Sequence, residues 1–265
     1  MRATDLVPLR GRSALALAVV SAVGLVGFCW PFFVAPGSAL DSSHSGDAPF
    51  LFVAILPLLA AIVLSELTSG GMDAKAVAML GMLSAVGGAL RALGPGTAGL
   101  EPSFAVIILG GRVFGRGFGF VIGATTLFTG SLITGGVGPW LPFQMMAAGW
   151  VGFFAGCLPR AEGRTEVGLL AGYGFVSGLV FGLVMNIWFW PFASYGPEVS
   201  YVAGDPLAAN LQRYGVFYLT TSLLWDLGRA TMSLLVLALA GSALLRALRR
   251  AARRAAFDVP VVFQR

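Results

Sequence analysis

The stretch "LGGRVFGRGFGFVIGATTLFTGSLITGGVGPWLPFQ", residues 109–144, decides how many helices this chain has. Arg112 and Arg116 interrupt a run that is otherwise apolar and rich in glycine. Read as one helix from 102 to 134, the run exceeds ~30 residues and sets both guanidinium groups in mid-bilayer, at several kcal/mol each. Read as two helices, it is a short one at 102–113, a turn carrying the charges, and a second at 117–134. The run then ends in "GGVGPWLPFQ", which suits neither a helix interior nor a strand.

The bilayer follows from composition. Of the 265 residues, 57% are hydrophobic and only 11% charged. A soluble domain carries roughly twice that charged fraction, so this chain cannot cover a water-facing surface with polar groups. Eight segments are apolar enough to be helices in lipid: 13–34, 50–67, 74–93, 102–113, 117–134, 141–158, 166–190 and 220–245.

Charge placement tests the two-helix reading. With the amino end inside, the cytoplasmic segments hold Arg2, Arg10, Arg12, Lys75, Arg112, Arg116, Arg160, Arg164, Arg246, Arg249, Arg250, Arg253, Arg254 and Arg265, which is 14 of the 17 basic residues. Only Arg91, Arg213 and Arg229 fall on or near the outer side. Cytoplasmic loops are expected to carry this excess, and merging segments four and five would destroy it. The expected fold is an all-α integral membrane protein with eight helices and both termini cytoplasmic, in a prokaryotic cell membrane. Residues 1–68 hold two helices, 69–250 a six-helix core, and 251–265 a basic tail. The tail follows directly on the last membrane helix, so anionic lipid headgroups rather than nucleic acid are its expected contact.

Small residues recur at four-residue spacing: Gly115, Gly119 and Gly123; Gly152 and Gly156; Gly174, Gly178 and Gly182. Such stripes let helices approach closely, here within the chain. The stretch "DAKAVAMLGMLSAVGGAL" is different. Its Ala74, Ala78, Gly81 and Ala85 form a flat face suited to another subunit.

Several chemistries have no motif. There is no G-x-x-x-x-G-K-[ST] loop, no H-E-x-x-H, no G-x-S-x-G and no acid-rich cluster. Two Cys and one His cannot assemble a metal site. No cofactor, metal or catalytic residue is implied. What remains is a polar and aromatic set at the outer helix ends: Arg91, Glu101 and Ser103; Trp140 and Gln144 in the elbow; Asn186, Trp188 and Trp190; Trp225, Asp226 and Arg229. Asp226 and Arg229 are spaced to pair on one helical face. Each aromatic taken alone reads as an interfacial anchor, but pooled beside polar groups they suit a pocket for a small organic molecule.

From about Asp73 to Arg249 the sequence resembles the substrate-binding S component of energy-coupling factor (ECF) vitamin importers. The likeness is carried by the order of elements and by two motifs, "GRVFGRGFGF" at the turn and "GGVGPWLPFQM" at the elbow. The resemblance implies a six-helix bundle without an ATPase of its own. It implies capture of a vitamin or related micronutrient at the outer face, and partnership with a membrane scaffold subunit and two ATPases. By position it points to Arg91, Glu101, Gln144, Asn186 and Trp190 for the ligand and to Ala74, Ala78 and Gly81 for the scaffold. The two helices ahead of the core depart from that pattern.

The elbow acquires a purpose in this light: Gly138 and Pro139 break the helix, and Trp140 and Gln144 line the cavity. Asp226 and Arg229 complete the set. Aromatic content and the long segment 191–214 make cobalamin the first candidate ligand. Two other readings stay open: an intramembrane enzyme acting on a lipid or isoprenoid, and a membrane interaction protein that transports nothing.

Overall fold

The computed structural model describes residues 9, 11–33, 74–94, 99–192 and 195–254. Among these there is no strand. The helices are α1 (Gly11–Phe28), α2 (Ala74–Arg91), α3 (Ser103–Phe114), α4 (Arg116–Thr134), α5 (Leu141–Cys157), α6 (Gly163–Phe189), α7 (Leu207–Phe217) and α8 (Leu223–Arg254). Short 3-10 turns, Trp30–Phe33 and Trp190–Phe192, follow α1 and α6, and a π-turn at Tyr218–Ser222 joins α7 to α8.

Among the described residues, four segments are long and apolar enough to cross a membrane: Ala74–Arg91, Arg116–Thr134, Gly163–Phe192 and Leu207–Arg254. The expected helix at 50–67 lies outside the described residues. The expected helix at 220–245 is longer at both ends, because α7, the π-turn and α8 follow one another without a break.

The split between α3 and α4 is real, and one residue makes it. Gly115 has φ 107°, a conformation a side chain rarely tolerates, and it caps α3 while opening α4. At 12 residues, about 18 Å, α3 is too short to cross a bilayer. It is instead buried along nearly its whole length, at the centre of the bundle.

Glycine decides how the surrounding helices meet it. A methyl group at Gly119 would collide with the Gly152 carbonyl, and one at Gly123 with the Ala148 carbonyl, so α4 and α5 touch backbone to backbone. Gly111 of α3 fits against the same Gly152 carbonyl. On the other side, Gly174, Gly178 and Gly182 of α6 face Leu237, Ala230 and Asp226 of α8. The glycine stripes are internal seams.

α1 runs antiparallel to α5. Gly24 lies over Met146, the Trp150 indole donates to the Ser21 hydroxyl at 2.9 Å, and Phe28 packs edge-on against Phe143 at 5.1 Å. Beyond it, Trp30 stacks on Phe192 and the Tyr201 hydroxyl donates to the Pro31 carbonyl at 2.5 Å.

Arg112 does more than anchor topology. It donates to Glu166 at 2.7 Å and to the carbonyls of Leu158 and Pro159, both at 3.1 Å, so it pins the turn between α5 and α6. Arg249 of α8 donates to the same Glu166 oxygen at 2.6 Å. Glu166, 1% exposed, thereby joins α3, α6 and α8 at the arginine-rich end.

Candidate functional site

At the opposite end, five polar side chains from four elements converge. Arg91, the last residue of α2, donates to Glu101 at 3.0 Å and to the Gln144 side-chain carbonyl at 2.8 Å. Its stem runs over Gly130 of α4, where a larger residue would displace it. Glu101, just ahead of α3, also accepts from the Ser103 hydroxyl at 3.1 Å. Its second oxygen faces Arg229 of α8 at 3.5 Å. Arg229 in turn donates to Asp226, one helical turn back, at 2.6 Å.

The chain of contacts runs Gln144, Arg91, Glu101, Arg229, Asp226, with two cations and two anions. Side-chain exposures of 17% for Arg91, 11% for Glu101, 15% for Arg229 and 4% for Asp226 place it largely out of water. Charges at that depth persist where they are paired and hydrogen-bonded, and this network is charge-balanced. Arg229 also lies over the Phe104 and Phe181 rings, at 5.7 and 5.0 Å, which adds cation–π attraction in a dry setting.

One acceptor is left over. Asp226 interacts with Tyr218 as well as Arg229, yet its Oδ2 is buried and makes no hydrogen bond of ordinary geometry. A second polar string lies alongside it. Ser222, at the end of the π-turn, donates to Asn186 at 2.9 Å, and Asn186 donates to the Gly182 carbonyl at 2.8 Å. The π-turn therefore sits beside the charged group, as such turns often do at functional sites.

The expected site residues divide into three groups. Arg91, Glu101, Gln144, Asp226 and Arg229 form one network. Asn186 belongs to the adjoining string. The two tryptophans stand apart. Trp190 is fully buried in an aromatic cluster with Tyr201, Tyr214, Phe217 and Tyr218, and its indole donates to the Val199 carbonyl at 2.6 Å. Trp140 is 40% exposed and folds back over its own elbow, donating to the Gly136 carbonyl at 3.1 Å.

The elbow also differs in detail from the expected break. α4 already stops at Thr134, capped by Gly135 at φ 68°, so Gly138 and Pro139 shape the turn rather than end the helix. Pro142 then lies in the first turn of α5, where its missing N–H costs nothing, and Gln144 follows facing Arg91. Ser222, Tyr218 and the two phenylalanines under Arg229 were not singled out as site residues. A Phe inside an apolar run carries no signal of what it faces.

The proposed docking residues Ala74, Ala78 and Gly81 are exposed on α2, and Gly81 has no heavy atom near where a Cβ would sit. The inward face of the same helix uses Ala76, Leu80, Leu83, Ser84, Gly87 and Gly88.

No curated protein and no solved structure matches the chain. The family model for the substrate-specific component of ECF transporters does match, over residues 75–241. That interval runs from the exposed face of α2 through the hairpin, the elbow and the charged network into α8. It covers well over half of the sequence, and with it the chain belongs to the ECF transporter substrate-specific component family, membrane-embedded substrate-binding subunits of transporters.

Proposed function

We propose that this chain captures a vitamin or related micronutrient at the extracytoplasmic face and delivers it to an ATP-driven module made of a scaffold subunit and two ATPases. In this reading the arginine-rich end with Arg112, Arg116 and Glu166 faces the cytoplasm and both termini lie there. The end with Arg91 and Glu101 faces out. The observation that carries the reading is the buried, charge-balanced network from Gln144 to Asp226, with one carboxylate oxygen left without a hydrogen bond of ordinary geometry.

Each residue has a role in that reading. Gln144, Arg91 and Glu101 offer a donor and acceptors at the mouth, Arg229 and Asp226 sit deeper, and Asn186 extends the polar wall. Trp190 supports the site from behind, and Trp140 flanks its entrance. Neutral or zwitterionic solutes suit a site whose own charges already cancel, because a net charge would be left unmatched in a dry environment. Cobalamin is the first candidate, on the strength of the aromatic content and the long segment between α6 and α7.

Ala74, Ala78 and Gly81 supply the face for the scaffold, since small side chains allow close helix approach in lipid. The test is equilibrium binding of cobalamin and a panel of ring-bearing vitamins to the purified chain, followed by uptake in cells that depend on it. Saturable binding of one compound with matching uptake is expected. Absence of binding across the panel would discard cobalamin and its kin, and uptake without the ATPases would discard the division of labour.

A further inference from the structure

α1 is pinned to α5 through Ser21, Gly24 and Phe28, and it leaves a cleft against α5 along one side. An open-sided cavity of about 470 Å³ runs beside these contacts, bordered on this side by Leu9 and by α1 from Ala14 to Leu25. Its walls are mostly apolar, with Leu17, Ala18 and Leu25 on one side and Phe153 and Phe154 on the other, and the hydrogen-bonded Ser21 and Trp150 also line it. Among the described side chains, one charged residue lines it, Arg116, at the arginine-rich end of α4.

Length identifies the kind of occupant. The lining positions on α1 run from Ala14 to Leu25, which is about 16 Å along a helix axis. Half of a ~30 Å hydrocarbon core is about 15 Å. The cavity is therefore about one leaflet long and mostly oily, and it ends at the Arg116 guanidinium, at the depth a leaflet's phosphates would occupy. A guanidinium has five N–H donors, so Arg116 can take a phosphate oxygen in addition to the contact it already makes. The smaller cleft of about 200 Å³ between α5 and α6 has no charged residue among its described lining residues.

We propose that the wedge between α1 and α5 is a binding site for one anionic phospholipid, with an acyl chain along Leu17 and Phe153 and the phosphate at Arg116. The site lies outside the polar network at the other end, and it makes α1, which precedes the family-matched interval, a lipid-dependent part of the bundle.

The test uses the full-length chain, delipidated in detergent and then given palmitoyl-oleoyl phosphatidylglycerol or phosphatidylcholine. Native mass spectrometry counts retained lipid and a thermal melt follows stability. Wild type should keep one phosphatidylglycerol and melt a few degrees higher with it than with phosphatidylcholine. Ala18→Trp, on an open part of the wall, should lose the retained lipid, and Arg116→Gln should lose the headgroup preference while still taking either lipid. Should Ala18→Trp not fold, Ala14→Phe narrows the same cavity one turn away. A wild type stripped of lipid whose melt ignores phosphatidylglycerol would overturn the proposal, whether because the chain's own residues fill the wedge or because nothing does. So would equal retention by the filled variants, or a shift produced by glycerol phosphate without any acyl chain.

Discussion

Gly182 on α6 and Asp226 on α8 are fitted to one another: a single methyl group at 182 would overlap the carboxylate of Asp226. The glycine is what allows a buried acid to sit between two helices and still reach Arg229 at 2.6 Å. Gly182→Ala should force the carboxylate or the helix aside, at about 1–3 kcal/mol. The expected result is a lower melting temperature together with at least tenfold weaker ligand binding, read by thermal unfolding and equilibrium dialysis. Gly172→Ala, in the same helix but with nothing within 4 Å, is the control and should leave binding unchanged without lowering the melting temperature.

Gln144 and Trp140 are neighbours in sequence but differ in what they touch. Gln144 accepts from Arg91, whereas Trp140 rests on its own turn. Gln144→Ala should weaken ligand binding by tenfold or more, since it removes a charge-assisted hydrogen bond of about 1.5–3 kcal/mol and loosens Arg91. Trp140→Ala should have the smaller effect. Unchanged affinity in both would make them membrane-interface residues and nothing more.

Much of this architecture could be read directly from residues. The break at Arg112–Arg116 followed from the cost of burying charge, and the glycine stripes announced close helix contact. The pairing of Asp226 with Arg229 followed from helical spacing. What could not be read was any relationship set by three-dimensional packing between distant segments. Glu166 sits near the start of an apolar helix, 54 residues from Arg112 and 83 from Arg249, and no periodicity links them. Trp190 was legible as an aromatic near the site but not as a fully buried one, because burial depends on Tyr201, Tyr214 and Phe217 folding over it. The continuity of α7 with α8 was hidden by Asn210, Gln212, Arg213 and Gly215, which break the apolar pattern ahead of the expected start at 220; at Thr220, Thr221 and Ser222 the backbone changes register. There the chain forms a π-turn and the hydroxyls of Thr220 and Thr221 bond back to carbonyls one turn earlier.

The Glu166 junction yields a stability prediction separate from ligand binding. Glu166→Gln removes the charge that both arginines share and should destabilise the bundle by about 2–3 kcal/mol. Arg112 retains its carbonyl partners, which keeps the loss below that of a bare buried cation. Arg249→Ala should cost less, under about 1 kcal/mol, because that guanidinium is 43% exposed. Thermal unfolding of the two variants against wild type measures the order.

The exposed face of α2 gives an assembly prediction. Ala78→Trp should abolish co-purification with a co-expressed scaffold and its ATPases while leaving ligand affinity intact, since the ring blocks close helix contact at a position remote from Arg91. Normal assembly of that variant would move the docking face elsewhere.

The central claim is that the polar network at the Arg91 end grips a small solute, and occupancy measures it most directly. Full-length chain isolated gently from cells grown on rich medium, alongside Gln144→Ala and Gly172→Ala, is analysed by mass spectrometry for small molecules released on denaturation. The account predicts one compound near equimolar with wild type and Gly172→Ala, and largely missing from Gln144→Ala that elutes as a well-folded species. An empty wild-type chain, or a Gln144→Ala chain carrying the compound undiminished, would contradict it.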